Sequence, residues 1–225
     1  MNKSSFWAII MLPVLAISCK KEEGTPAPAV KFMSLTTGSI WNYKQVDNPS
    51  TIPVTSIYSI TATARDTTIN SKIYKVFTNS SGGSEYYNIT GSDYYTYRKL
   101  PDALGGGYVE VLYLKDNAAA GDTWTQTSPV TISVFTISLT LSNKIEQKGI
   151  TKIVNGITYT DVVDVKTTLS VSGIPVPYTI TSDIDYYYAP KFGQIENKTK
   201  IDLTVTGIAP INFDQKTELQ SATIL

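Results

Sequence analysis

The chain has no histidine, a single cysteine and no excess of either charge, since 19 basic residues balance 19 acidic ones over 225 residues. Without histidine there is no imidazole general base, no imidazole metal ligand and no Ser-His or Cys-His nucleophile pair. One cysteine permits no internal disulfide and no thiolate metal cluster. Even charge with no basic block withholds the electrostatic footprint that nucleic-acid binding needs, so neither DNA nor RNA is an expected partner. Phosphate-binding glycine loops and nucleophile elbows are missing as well. Gly105-Gly106-Gly107 is followed by no Lys-Ser/Thr and reads as a hairpin loop. No cofactor and no metal is expected.

Long hydrophobic runs are also missing. The most apolar segment, residues 6–17 (FWAIIMLPVLAI), is interrupted by Pro13 and falls short of the roughly 20 residues that span a hydrocarbon core. Lys3 precedes it and the small Ser18 follows, the pattern of a signal peptide over residues 1–18. Next comes KKEEGTPAPAVKFM, charged and then rich in Gly, Pro and Ala without periodicity, so residues 19–34 read as a flexible tether.

What is abundant is β-forming. Thr, Ile, Val and Tyr make up 85 of the 225 residues, types that suit a pleated, half-buried surface. Period-two alternation begins near Leu35 and continues to the C-terminus. Val163, Val165, Leu169 and Val171 oppose Asp164, Lys166, Thr168 and Ser170 in the cleanest such run. In residues 131–142 the apolar phase shifts between Val134 and Phe135, which predicts a β-bulge. Asn155-Gly156 is the strongest hairpin signal, because a type I′ turn needs positive φ at both central residues. No sustained helical period follows the tether. The expected fold is all-β: one domain over residues 35–225, an antiparallel β-meander forming a sandwich or an open barrel.

A weak repeat points to two similar halves, residues 35–118 and 119–225. Gly38-Ser39-Ile40-Trp41 returns as Gly121-Asp122-Thr123-Trp124, and the Asn70 to Tyr74 pattern returns at Asn155 to Tyr159. Asp93-Tyr94-Tyr95-Thr96-Tyr97 returns as Asp185-Tyr186-Tyr187-Tyr188.

The residues that stand out chemically are two tyrosine clusters and one carboxylate pair. Tyr94, Tyr95, Tyr97, Tyr186, Tyr187 and Tyr188 lie on strands where neighbours must point to opposite faces, so some of each cluster are expected on a wet face. An aromatic platform beside polar groups there would suit a sugar ring, and cross-strand packing is the alternative use of the same residues. Asp183 and Asp185 share one strand face with Cα atoms about 7 Å apart, a spacing compatible with a carboxylate-based hydrolase. These eight residues are the candidate ligand-binding set, and no catalytic residue is assigned.

Leu15-Ala16-Ile17-Ser18-Cys19 resembles the lipobox of bacterial lipoproteins, in which the cysteine becomes the acylated mature N-terminus. Lys20-Lys21-Glu22-Glu23 is similar to the signal that sends Bacteroidota lipoproteins to the outer face of the outer membrane. The mature chain further resembles a group of Bacteroidota lipoproteins through Gly38-Ser39-Ile40-Trp41-Asn42-Tyr43 and through Tyr187-Tyr188-Ala189-Pro190-Lys191-Phe192-Gly193-Gln194-Ile195-Glu196. A more distant likeness is to the curved half-barrels of periplasmic lipoprotein carriers. The resemblance implies lipidation at Cys19, a membrane partner through that anchor, and display at the cell surface, with the periplasmic face as the alternative. The expected function is binding or scaffolding in the envelope, with a glycan or another envelope protein as partner. A lipid- or lipoprotein-handling half-barrel and a hydrolase remain as alternatives. Radiolabelled palmitate is expected to label the wild-type chain in cells and not Cys19→Ala; equal labelling of the two would refute acylation at this cysteine.

Overall fold

The computed structural model describes residues 30–48, 52–100, 106–132, 135–207 and 209–225, with backbone alone at 132 and 135. Cys19, the signal peptide and the tether as far as Ala29 lie outside the described residues. Twelve strands follow in order: β1 (Ile40–Asp47), β2 (Val54–Ile69), β3 (Lys72–Asn79), β4 (Ser84–Thr90), β5 (Asp93–Lys99), β6 (Tyr108–Lys115), β7 (Thr123–Ile132), β8 (Phe135–Val154), β9 (Ile157–Ser172), β10 (Tyr178–Ala189), β11 (Gly193–Val205) and β12 (Ile211–Thr223). They form one antiparallel sheet in the order β6-β5-β4-β3-β2-β1-β12-β11-β10-β9-β8-β7, and no helix occurs among the described residues. The first strand pairs with the last, so the meander curls into a nearly closed barrel rather than a two-sheet sandwich.

The two sheet edges, β6 and β7, meet without a backbone ladder, and side chains bridge them. The Gln126 amide takes the place of a peptide group: Leu112 N–H donates to its Oε1 at 2.8 Å, and its Nε2 donates to the Glu110 carbonyl at 2.6 Å. Trp124 Nε1 donates to the Leu112 carbonyl at 2.9 Å. Unpaired edge groups invite foreign strands, and these three bonds occupy those nearest the gap.

The turns follow their residues. Asn155 (φ 50) and Gly156 (φ 76) form the expected tight turn between β8 and β9, and Asn70 (φ 49) with Ser71 (φ 65) forms its counterpart between β2 and β3. The bulge expected between Val134 and Phe135 is instead a reversal of the chain. β7 and β8 pair antiparallel from Ile132↔Phe135 outward, and a hairpin leaves the same break in apolar phase as a bulge. Residues 133 and 134 themselves lie outside the described residues. Trp41 and Trp124 open β1 and β7, six strands apart, as the two Asn-led turns are. The third pair of the repeat falls on β5 and β10, five strands apart, out of phase with the first two.

The interior holds two main apolar clusters. One surrounds Trp41, Phe77, Tyr94, Leu114, Ile145, Val165, Tyr188, Ile195 and Leu219 at the end where the chain enters the barrel. The other packs Val109, Val111 and Val130 against Ile137, Leu139, Leu169, Ile184 and Ile201. Phe32 and Met33, within the segment read as tether, are buried in the first cluster, and Met33 bridges to Phe192, so the packed domain begins there and not at residue 35. Gly38 enters β1 at φ +91, where a Cβ would come within 2.8 Å of Leu225. Gln126→Ala is expected to destabilise the barrel by about 1–3 kcal/mol, by stranding the Leu112 N–H and Glu110 carbonyl. Hydrogen exchange at the Leu112 amide should accelerate more than exchange within the β10–β11 ladder; unchanged exchange would show that the seam does not depend on Gln126.

Candidate functional site

Alternation sorts the tyrosines between the two surfaces of the barrel wall. Tyr94 and Tyr188 point inward and are fully buried. The Tyr94 hydroxyl accepts from Phe32 N–H at 3.1 Å and donates to Asp116 Oδ2 at 2.7 Å. Tyr186 also points inward, whereas Tyr95, Tyr97 and Tyr187 point outward. The two clusters are therefore not brought together: Tyr95 and Tyr97 lie on the outer wall of β5, and Tyr187 on that of β10.

Around Tyr97 the outer wall carries an aromatic panel. Register places Val76, Tyr86, Tyr97 and Glu110 in one row across β3 to β6. Tyr97 stacks on Tyr108 at 5.4 Å with 18° between planes, meets Tyr86 at 6.2 Å and Tyr74 at 6.4 Å. Tyr74 is wholly covered by these neighbours, and its hydroxyl donates to Glu110. Lys72 binds Glu110 at 2.8 Å and lies 3.6 Å from the centre of the Tyr95 ring. Tyr108, 51% exposed, offers one face of its ring to solvent beside the Lys72–Glu110 pair. A flat apolar face next to a donor and an acceptor is what a sugar ring requires.

The outer wall of β8 to β12 is charged instead. Asp183 and Asp185 do share a face, as expected, but both carboxylates converge on Lys166 from β9: Asp185 lies 3.0 Å from its Nζ, and Asp183 is bound to it as well. Lys152 sits 3.4 Å from the Tyr187 ring centre and 2.9 Å from Glu196 Oε1, an ion pair without hydrogen-bond alignment. Burial, with the nearby Asp164, Asp185 and Glu196 carboxylates, pushes the Tyr187 phenol up to about 12. Asp164, buried beside Tyr187, is shifted upward by desolvation and by the Asp185 charge. Burial pushes Glu196 upward too, but Lys152, Lys216 and Lys198 outweigh it, and the carboxyl is held below its ordinary range.

The inner wall is not uniformly apolar. Burial pushes the phenols of Tyr43, Tyr87, Tyr113 and Tyr188 well above their ordinary value. Tyr113 of β6 packs on Tyr188 of β10 at 5.4 Å, a contact that crosses the lumen. Arg98 Nη2 reaches the Tyr186 hydroxyl at 3.4 Å, also across the lumen. Asn143 and Thr167, side by side on β8 and β9, share a buried bond of 2.7 Å.

Tyr108, Lys72, Glu110, Arg98 and Asn143 were not among the residues singled out from sequence. Tyr108 and Glu110 carry a weak signal, polar and aromatic members of an alternating strand, but Tyr108 stacks on the neighbouring β5 and Glu110 finds Lys72 and Tyr74 on β3, three strands away. Among the described residues no group of three or more acidic residues is arranged to hold a metal.

By structure the chain is similar to a candidate lipoprotein of Parabacteroides distasonis, with a TM-score of 0.51 at 14% identity over 88% of this chain and 100% of that one. A candidate exported protein with a YmcC-like fold from Bacteroides fragilis aligns with a TM-score of 0.46 at 10% identity, over 87% of this chain and 100% of that one. The first likeness shows a shared fold. No family model and no curated protein matches the chain.

Because Glu196 is held below its ordinary value of about 4.5 in the folded chain, its contribution is complete above that pH. It is lost as pH falls through the folded pKa. Urea midpoints measured from pH 7 to pH 3 should fall more steeply for the wild type than for Glu196→Gln. The variant should be weaker by about 2 kcal/mol at pH 7. Parallel curves would show that the three lysines do not hold the carboxylate.

Proposed function

We propose that the chain is a lipid-anchored protein of the bacterial cell envelope, held by acylated Cys19 in the outer membrane and facing outward, and that its work is to bind glycan. The observation that carries the binding reading is the Tyr97–Tyr108 stack, with one ring face of Tyr108 open to solvent and the Lys72–Glu110 pair beside it. The rigid stack loses little side-chain entropy when a ring docks on it. Lys72 can donate to a sugar hydroxyl and Glu110 can accept from one, and together they give the platform orientation. The fold neighbour from Parabacteroides distasonis, itself a candidate lipoprotein, is in keeping with the envelope part of the reading.

On this reading catalysis is not the task. Asp183 and Asp185 are both engaged by Lys166 on the convex outer wall, where no opposing wall excludes water from a reacting bond.

Titration calorimetry of the folded chain against a panel of bacterial and host polysaccharides is expected to find at least one binder. Tyr108→Ala should weaken that binding roughly tenfold or more, equivalent to about 1.4 kcal/mol, while Tyr108→Phe, which keeps the ring face, should bind as the wild type does. Absence of heat with every polysaccharide, or unchanged affinity in Tyr108→Ala, would overturn the glycan reading.

A further inference from the structure

A hollow of about 760 Å³ lies where the chain enters the barrel, between residues 30–36, the end of β4 with the turn after it, the β10–β11 turn and the two residues that follow β12. Leu35, Ile89, Ile224 and Leu225 give it an apolar wall, and Lys31 and Lys191 bring two ammonium groups to the same space. No acidic side chain is among its lining residues. Asp93, which follows the Gly91 turn, is paired with Lys115 at 3.8 Å. Hydrogen bonds fix the outline of the hollow: Lys191 N–H donates to the Lys31 carbonyl at 2.8 Å, Leu225 N–H to Ser39 Oγ at 3.1 Å, and Lys31 Nζ to the Gly91 carbonyl at 2.7 Å.

Both lysines have donors to spare. An ammonium carries three N–H donors, so the single bond from Lys31 to Gly91 leaves two. The Lys191 side chain makes no hydrogen bond or ion pair among the described residues, and the residue is exposed. Its backbone holds φ at +72, in the left-handed region that ordinarily falls to Gly or Asn. A turn that needed shape alone would be easier with glycine at that place; lysine adds a charge to the hollow against the preference of the backbone. Leu225 is 66% exposed and Val30 52%, so apolar surface and positive charge meet solvent side by side. That pairing matches the interface of a bilayer, where phosphate groups adjoin acyl chains.

We propose that this hollow docks the barrel on the membrane surface by seating the head group of an anionic phospholipid, with Lys31 and Lys191 on the phosphate oxygens and Ile224 and Leu225 against the start of the acyl chains. Charge complementarity and the direction of the chain support this occupant. From Lys20 onward the chain carries 18 basic and 19 acidic residues, so no overall attraction draws it to an anionic surface and a preference for one has to arise locally. Val30, the first described residue, lines the hollow, and ten residues separate it from Cys19, a reach of at most about 40 Å. Which leaflet the hollow meets rests on the proposed anchor at Cys19; its affinity for the head group does not. An anchor alone sets a distance from the membrane, and the hollow sets which end of the barrel faces it, leaving the tyrosine panel free on the side wall.

Sedimentation with vesicles tests the assignment on the chain from Lys20 onward, which keeps every residue of the packed barrel and carries no lipid. It is expected to bind vesicles of phosphatidylcholine containing about three parts in ten of phosphatidylglycerol roughly tenfold more strongly than vesicles of phosphatidylcholine alone. Lys191→Gly, which suits the positive φ and should keep the melting temperature or raise it, should remove most of that preference. Adding Lys31→Gln should remove the rest. Glycerol phosphate at matched ionic strength, a head group without acyl chains, should not displace the chain. Equal binding to the two vesicles, binding to neither, an unchanged preference in the folded double variant, or full displacement by glycerol phosphate would overturn the proposal. Palmitate labelling at Cys19 is read on cells and this binding on the unacylated chain, so failure of the anchor and failure of the docking site are told apart.

Discussion

The barrel depends on two hydrogen bonds that tie its first strand to a hairpin near its end. Trp41 Nε1 donates to the Phe192 carbonyl at 2.8 Å, and the Tyr43 hydroxyl donates to the Gln194 carbonyl at 3.0 Å. Both donors come from the Gly38 to Tyr43 motif and both acceptors from the Tyr187 to Glu196 motif, so the two short patterns that mark the sequence meet in space. β12 lies between β1 and β11 in the sheet, and these bonds pass inside it. The turn that presents the acceptors is itself fixed from below. Lys191 N–H donates to the Lys31 carbonyl at 2.8 Å, and Gly193 adopts φ +68 with Met33 Sδ 3.4 Å from where a Cβ would stand. A barrel built from sequential hairpins has nothing local to bring its ends together, because the β1–β12 ladder joins residues more than 160 positions apart. The buried donors of Trp41 and Tyr43 make that closure specific, since any other docking leaves them unpaired in an apolar cluster.

Once closed, the wall has two surfaces of opposite character, and residue parity, reset where the ladders carry bulges, assigns each side chain to one of them. That is why adjacent tyrosines have unrelated environments. Tyr94 is sealed between Phe32 and Asp116, while Tyr95 lies outside beneath Lys72. Tyr186, Tyr187 and Tyr188 alternate likewise between Arg98 within, Lys152 without, and the core. A lone tyrosine substitution therefore reports on one surface only, and the outer panel can change without disturbing the interior.

Much of the fold was legible in the sequence because period-two patterning and turn chemistry are local. Asn155-Gly156 encodes its own turn, and the Val163 to Val171 alternation encodes its own buried face. What depended on pairing between distant strands was not legible. Asp183 and Asp185 were correctly placed on one face, but Lys166 stands opposite them only because of the β9–β10 register. The tyrosine clusters were known to alternate, yet which members face inward follows from the closure of the whole sheet. The break in phase at Val134 and Phe135 has two physical causes with one signature, a bulge or a reversal, and long-range pairing chooses between them. Phe32 and Met33 sit in a Pro- and Ala-rich stretch whose composition is that of a linker, and their burial is imposed by the Phe192 hairpin they meet.

Polarity inside the barrel is the remaining departure from a simple half-buried sheet. A structural interior is expected to match each buried donor with an acceptor, and most of this one does: Thr167 meets Asn143, Asn197 meets Thr199, and Tyr87 meets Glu85. The exception on the inner wall is the Asn143 amide, whose Nδ2 has no partner among the described residues. On the outside, three lysines surround Glu196 and one lysine serves both Asp183 and Asp185, so these charges are matched within the wall itself. Both surfaces of the wall thus match most of their polar groups from neighbouring strands, with Asn143 Nδ2 inside and Asp164 Oδ1 and Glu196 Oε1 outside left without a hydrogen bond among the described residues.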